Sequence, residues 1–233
     1  MLGQDFPDYE YIIIDGVSTD NTVLLVKQYG EKIAKFISEP DTGIYDAMNK
    51  GIKLAEGQYL LFLNAGDTLL HENVLAIAAK QLAGHKVDVF FGQIVRLNRQ
   101  TGKATINQQT AYLNKLTLLA NQPQHPASFI GRDAFAKVGL YDTTLRICGD
   151  YEWFLRAFLR YKCSYRYYDL LCSVFSLGGI STTDGYVHEE TKIVREKYYS
   201  KFWLFIYAHG FLYWQTCKLS IFGARLLRLF KKI

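Results

Sequence analysis

Apolar runs and helix-period segments alternate through the first hundred residues, and that alternation restricts the fold more than any other feature of the chain. Tyr11–Ile14 is short and wholly apolar, and Ile33–Ser38, Tyr59–Leu63 and Val87–Leu97 follow as further strand-like runs. Runs of this length without polar alternation predict strands buried on both faces. Between them lie three helical segments. The first covers Asn21–Tyr29, with Ser18 or Thr19 placed to cap it and Gly30 to end it. The second, Ile44–Ala55, repeats Ile44, Met48, Gly51 and Ala55 at the helical period. The third is Glu72–Leu82. Strand–helix alternation of this kind predicts an α/β fold on a parallel, doubly wound sheet. Thr101-Gly-Lys predicts a hairpin turn into Ala104–Gln108. The second half is less regular: Pro123-Gln-His-Pro126 precedes a strand, and Gly149–Arg160 reads as a helix opened by Asp150.

Composition narrows the class. Apolar residues make up 49% of the 233, enough for a full core. The four cysteines, Cys148, Cys163, Cys172 and Cys217, form no Cys-x-x-Cys pair, so neither a zinc site nor a disulfide framework is expected. The N-terminal "MLGQDFPDYE" lacks the basic and apolar regions of a signal peptide, so the expectation is cytoplasmic residence. The net charge of +5 is concentrated at the end, where Arg225, Arg228, Lys231 and Lys232 stand without an acid.

Ligands in doubly wound sheets bind at the carboxyl ends of the strands. Two acidic loops fall at such ends, Asp15-Gly16 and Asn64–Asp67, and a third acid, Asp150, opens a helix. Three acids suit a transferase that uses a nucleotide-activated substrate. One acid would accept hydrogen bonds from base or ribose, one would hold a divalent cation, and one would take a proton from an incoming hydroxyl. Mg²⁺ or Mn²⁺ takes hard oxygen ligands and keeps much of its shell as phosphate and water, so a single carboxylate, Asp67, suffices. Taken singly, each acid is as well explained as a turn former or helix cap.

The segments "YIIIDGVSTDNT" (Tyr11–Thr22), "EPDTGIYDAMNKGIKLAEGQYLLFLNAGD" (Glu39–Asp67), "HPASFIGRDAFAKVGLYD" (His125–Asp142) and "CGDYEWFLR" (Cys148–Arg156) together resemble glycosyltransferase family 2, inverting enzymes with a GT-A fold. The "EPDxGIYDAMNKG" and "LNAGD" variants are similar to bacterial enzymes of exopolysaccharide, capsule or lipopolysaccharide synthesis. The resemblance implies a Rossmann-like, mostly parallel sheet with flanking helices. It implies Asp150 as catalytic base, Asp67 as metal ligand, and Asp15, Asp46, Asn64 and Gly66 at the donor. It also implies a divalent cation (Mg²⁺ or Mn²⁺), a nucleotide-sugar donor and a glycan or lipid-linked acceptor. The chain departs from the pattern in several places. Asn64 and Gly66 stand where acids are usual, and Val17 and Gly149 replace a usual glycine and acid. An arginine expected on the helix after the second glycine loop is absent, leaving Lys50 or Lys53 as substitutes.

The resemblance also carries an expectation about the N-terminus. The family's first strand and helix should lie ahead of Asp5, but only ten residues precede Tyr11. The expected organisation is a GT-A-like domain over residues 1–185, lacking that unit, and a helical aromatic and basic segment over 186–233. A sheet without that inner strand would expose unpaired backbone, and the expected result is low stability and weak or no turnover.

His125 is expected in a structural hydrogen bond or at the acceptor site. Arg156 is expected in a surface ion pair or at phosphate. The Gly178–Tyr186 loop, followed by His188, reads as a flap or a plain turn. Phe202–Cys217 carries no Lys, Arg, Asp or Glu over 16 residues, too short to cross a bilayer. With Trp203, Tyr207, Tyr213 and Trp214 and the basic end, it predicts peripheral contact with an anionic membrane, the alternatives being a helix packed on the domain and a true span. The leading expectation is an inverting glycosyltransferase of cell-surface polysaccharide synthesis at the inner face of the membrane. The alternative is a non-catalytic GT-A remnant or scaffold. A dinucleotide oxidoreductase is disfavoured because no Gly-x-Gly-x-x-Gly follows a strand. Nucleic-acid binding is disfavoured because the basic tail is interleaved with Leu and Phe.

Overall fold

The structure, a computed structural model, describes residues 1–107, 109–179 and 185–209. Its strands are β1 (Ile12–Asp15), β2 (Lys35–Ser38), β3 (Tyr59–Leu60), β4 (Thr68–Leu69), β5 (Val89–Leu97), β6 (Ala104–Asn107), β7 (Ser128–Gly131) and β8 (Tyr165–Ser176). Its helices are α1 (Thr22–Gln28), α2 (Ile44–Leu54), α3 (Val74–Gly84), α4 (Lys115–Ala120), α5 (Arg132–Val138), α6 (Gly149–Leu155) and α7 (Tyr186–Tyr198). A π-helical turn, Arg156–Arg160, extends α6, and residues 201–209 are helical.

The strands form two sheets instead of one. β1 and β2 pair in parallel. The remaining six form a sheet in the order β3-β7-β5-β8-β4, with β6 on β5. Within it only β5 and β8 are parallel; β3–β7, β5–β7, β4–β8 and β5–β6 are antiparallel. A mostly parallel sheet is therefore not what forms. The helical crossovers that enforce parallel pairing are confined to the first half, while hairpin and meander connections shape the second. The two-residue β4 and β8, twelve residues long, are not predicted from the sequence; for β8 its aromatic residues were the available signal.

The core sits on both faces of the larger sheet. Along β5, Val89 and Phe91 join one apolar cluster with α2, α5 and α6, while Phe90 joins a second cluster with α3. That is the alternation a strand imposes. Gly92 lies at a register shift, where a Cβ would come within 2.8 Å of Cys172 Sγ and closer still to the Leu170 carbonyl. The bulge thus needs glycine. Cys148, Cys163 and Cys172 are buried free thiols.

α2 has the expected bounds, but its buried face is Tyr45, Met48, Asn49 and Ile52, one residue out of register with the expected stripe. The reason is Asn49. Its amide donates to the Tyr141 carbonyl at 2.9 Å and accepts from the Tyr141 N–H at 2.9 Å, which pulls a polar residue inward. At the first helix, Ser18 does not cap; its hydroxyl and amide turn back to Asp15, and the Thr22 N–H is taken by Asp20.

The expected strand Tyr59–Leu63 is paired only at Tyr59–Leu60, and only with β7. Among the described residues β1 likewise has one partner, β2. Ile12 and Ile14 of β1, and Leu60, Leu61, Phe62 and Leu63, line the same cleft. Ile12, Ile13 and Ile14 are consequently only half-buried, although their sequence is that of a core strand.

Candidate active site

The cleft occupies about 2190 Å³ between the two sheets and is lined by Asp46, Asn64, Asp67, Gln122 and Asp150, among others. It brings Asp67 and Asp150 onto the walls of one space. Asp15 and Gly66 are not among its lining residues.

Asp67 follows a tight turn in which its N–H reaches the Asn64 carbonyl at 3.0 Å. Gly66 makes that turn at φ +92°, where a side chain would be strained. The Gly66 carbonyl accepts from Ser176 Oγ at 2.7 Å and from Arg99 Nη2 at 2.9 Å, which fixes the loop against the end of β8. One carboxylate oxygen of Asp67, Oδ1, accepts the Ser176 N–H at 3.1 Å. The other, Oδ2, is buried and without a hydrogen-bond partner among the described residues. Burial pushes the Asp67 carboxyl above its ordinary range, against the opposing Ser176 and Asn64 backbone contacts and the Arg99 charge. A buried, unsatisfied oxygen on a half-buried carboxylate is what a hard divalent cation would satisfy. No group of three or more His, Cys, Asp or Glu side chains close enough to hold a metal occurs among the described residues. One carboxylate would fit only an ion that completes its shell with phosphate and water.

Asp150 stands in the first turn of α6. Its Oδ1 accepts from the Tyr151 N–H at 2.8 Å and lies 3.1 Å from the Tyr45 hydroxyl; its Oδ2 accepts from Gln122 Nε2 at 3.1 Å. Gly149 makes room for this arrangement, because a Cβ there would sit 2.7 Å from the Tyr45 ring. Burial and the adjacent Asp150 charge drive the Tyr45 phenol far above its ordinary range, so it is a permanent hydrogen-bond donor.

Asp15 is buried at the end of β1, and its carboxylate is taken up locally by the Ser18 hydroxyl, the Ser18 N–H at 3.0 Å and the Ser38 hydroxyl at 2.6 Å. Those bonds hold the carboxyl below its ordinary range, the Ser18 hydroxyl contributing most. Its place is to close the 15–18 loop, where Val17 adopts φ +67°. A β-branched residue in that region carries about 1 kcal/mol of strain, at the position where the family resemblance has glycine. Asp46 accepts from the Thr42 N–H at 3.0 Å within the Gly43 turn that starts α2. Lys50 is committed to that same turn, bonding the Pro40 carbonyl at 2.7 Å and Glu39 at 3.0 Å, so it does not replace the absent arginine.

Two other expected residues are structural. His125 is buried, bonded to the Tyr141 hydroxyl at 2.9 Å and stacked on Phe62, and burial lowers its pKa, keeping the ring neutral. Arg156 faces inward, donating to the Val138 and Leu140 carbonyls and to Glu152. Glu152 is fully buried with Lys197 and Tyr198 of α7 as further donors. His188 lies on the exposed side of α7. Of the Gly178–Tyr186 loop, residues 180–184 lie outside the described residues. The sequence reading assigned no role to Tyr45, Gln122 or Glu190. Tyr45 was inside a quoted motif, whereas Gln122 and Glu190 reach the site only through tertiary contacts.

An α/β core with an unsatisfied carboxylate and a second, hydrogen-bonded carboxylate across one cleft is the layout of a group-transfer enzyme that handles an anionic leaving group. The profile of the family described as "Glycosyl transferase family 2" matches residues 1–145, and the chain belongs to that family, a glycosyltransferase on a GT-A fold. It is 28% identical over 183 residues to a PGL/p-HBAD biosynthesis glycosyltransferase of Mycobacterium tuberculosis H37Rv, covering 76% of this chain and 69% of the relative. It is 36% identical over 155 residues to an uncharacterized glycosyltransferase of the same strain, covering 64% of this chain and 57% of the relative. Among solved structures, the 1–349 fragment of Staphylococcus aureus TarS in complex with UDP-GlcNAc superposes with a TM-score of 0.66 at 21% identity, over 83% of this chain and 58% of that one. Against a crystal structure of S. aureus TarS the match spans 35% of that chain. A mannosyltransferase from Pyrobaculum calidifontis, in complex with GDP-Man and Mn²⁺, gives 0.53 at 19% identity, over 84% of this chain and 55% of that one.

Proposed function

We propose that this chain carries the donor cleft and base of an inverting glycosyltransferase. It would move a sugar from a nucleotide-sugar donor to an oligosaccharide or lipid-linked acceptor in cell-surface polysaccharide synthesis, at the cytoplasmic face of the membrane. One observation carries the reading: Asp67, with a carboxylate oxygen left over, and Asp150, held in a polar clamp, line the same cleft. The fold likeness to TarS with UDP-GlcNAc supports it.

On this reading Asp67 holds a divalent cation, which when bound supplies positive charge to the departing nucleoside diphosphate. Asn64 and Asp46, on the same walls, orient the donor, with Asp15 closing the loop beside it. Asp150 takes the proton of the acceptor hydroxyl as that oxygen attacks the anomeric carbon. Attack comes from the face opposite the leaving group, so the anomeric configuration inverts. The Tyr151 amide and Gln122 fix the carboxylate in place.

The test is a panel of UDP-, GDP- and dTDP-sugars with Mn²⁺, read by thermal shift and by release of nucleoside diphosphate. At least one donor is expected to raise the melting temperature in a metal-dependent way and to be turned over. A second reading, a GT-A remnant or scaffold without turnover, is favoured by the divided sheet: β1 and 59–63 both line the cleft, and among the described residues no strand pairs with both. The absence of both shift and turnover across the panel selects that reading and rejects the first.

Membrane contact is the second part of the proposal. In the helical segment 201–209, Trp203, Leu204 and Tyr207 pack on the core, while Phe202, Phe205 and Ile206 are exposed. An exposed apolar face at 202–206 suits an anionic lipid surface, and Tyr213, Trp214, Arg225, Arg228, Lys231 and Lys232, which follow in sequence, lie outside the described residues. No helix among the described residues is long and apolar enough to span a bilayer. The full chain is expected to co-sediment with phosphatidylglycerol vesicles, and the chain without residues 202–233 to remain in the supernatant. Equal sedimentation of both rules the contact out.

A further inference from the structure

Asp150 is tied to α7 through contacts that nothing in the transfer chemistry requires. Glu190, in the first turns of α7, accepts three consecutive backbone N–H groups with one carboxylate. Its Oε1 takes Arg146 at 2.7 Å, and its Oε2 takes Ile147 at 2.8 Å and Cys148 at 2.9 Å. These are the residues leading directly into Gly149 and Asp150. The carbonyl of Ile147, fixed by that clamp, lies 2.5 Å from the Tyr45 hydroxyl, which is in turn 3.1 Å from Asp150 Oδ1. α7 is itself anchored on α6 by Lys197 and Tyr198 at the buried Glu152.

We propose that Glu190, the 146–148 backbone and Tyr45 form a positioning relay for Asp150; the inference rests on the reading of Asp150 as the base. A phenol has one proton, and two acceptors compete for that of Tyr45: the Ile147 carbonyl and the Asp150 carboxylate. While Asp150 is ionised, the proton can serve the carboxylate. Once Asp150 has taken the acceptor's proton it is a weaker acceptor, and Tyr45's hydrogen bond passes to the Ile147 carbonyl. No covalent bond at Tyr45 breaks; only its hydrogen bond changes partner. The Tyr45 hydroxyl is then satisfied in both protonation states of Asp150 in one geometry without water. Glu190 is what keeps the carbonyl in range, because three charge-assisted bonds to successive amides leave that loop one arrangement. Neither Tyr45 nor Glu190 touches the reacting atoms on this account; both act through Asp150.

Two variants test this on the full chain. Tyr45→Phe keeps the ring against Gly149 and removes only the hydroxyl. For the donor the panel selects, it is expected to lower kcat about tenfold with donor KM unchanged, and to lower the melting temperature by a few degrees for the lost buried hydrogen bond. A kcat within twofold of wild type, or a loss that appears in KM alone, overturns the relay. Glu190→Gln keeps the shape but leaves one acceptor oxygen for three amides. By hydrogen exchange, which needs no turnover, the amides of Ile147 and Cys148 are expected to exchange at least about tenfold faster, while those of α2 keep their rates. Unchanged exchange at 147 and 148 overturns the clamp even in a chain that turns nothing over. Asp150→Asn separates the two claims. Normal transfer by that variant sinks the functional reading, whereas an inactive Asp150→Asn beside a fully active Tyr45→Phe sinks the relay alone.

Discussion

Asp150→Asn is expected to lower sugar transfer by about a thousandfold while leaving donor binding intact, the range over which a positioned general base acts. The substitution is a clean one for a structural reason. The side-chain oxygen can keep the Tyr151 N–H bond now made by Oδ1. The new amide would confront Gln122 Nε2, but Gln122 Oε1 is buried and without a partner, so a flip of the Gln122 amide turns a donor–donor clash into a hydrogen bond. Fold and donor site are therefore retained, and the lost rate reports the missing base. The measurement is single-turnover transfer alongside donor affinity by thermal shift. Transfer within tenfold of wild type would show that another group takes the acceptor's proton.

Asp67→Ala is expected to remove the metal-dependent part of donor binding. For the wild-type chain, donor at a hundred times its Kd stabilises the folded state by about 2.7 kcal/mol. In a domain of this size that raises the melting temperature by roughly 5–10 °C. Without the Asp67 carboxylate the shift with Mn²⁺ should fall to the level seen with EDTA. Alanine also frees the Ser176 amide, so Asp67→Asn is the control: it keeps an acceptor for that amide and removes the charge. Both variants should lose metal dependence, and only Asp67→Ala should also lose intrinsic stability, by about 1 kcal/mol. A full metal-dependent shift in either would exclude Asp67 as the ligand.

How much of this was legible in the sequence depended on the range of the forces involved. α2 and α3 were readable because helical periodicity and glycine stops are local. The face of α2 was not, because the pull on Asn49 comes from the Tyr141 backbone, far along the chain. Asp67 and Asp150 could be singled out because each sits in a motif with fixed spacing. That they share a cleft is a property of the sheet order alone. Arg156 was open between a surface ion pair and phosphate, and Lys50 was one of two candidates to replace the absent arginine. Each is settled by backbone carbonyls that it meets only in the fold. Glu190 gave no local signal, since its three amide partners are on another element.

The divided sheet has a consequence for how the molecule yields. Among the described residues no backbone ladder joins β1 and β2 to the larger sheet. The pair is attached by Ile14 against Gly51, by Glu10 at the Glu56 and Gly57 amides, and by Lys35 at the Leu54 carbonyl. Cooperative units of a protein follow its shared ladders and packed cores, and a unit with few ties opens first. Residues 1–9 are held on the larger sheet's side by the Asp5 N–H at the Glu72 carbonyl and by Met1, Phe6 and Tyr9 against the α3 cluster, so it is the β1–β2 unit after them that can loosen on its own while α6, α7 and the buried Glu152 cluster stay closed. The wall beside Asp15 is compliant and the wall beside Asp150 is stiff, a division of labour between a pliable reception side and a fixed anvil.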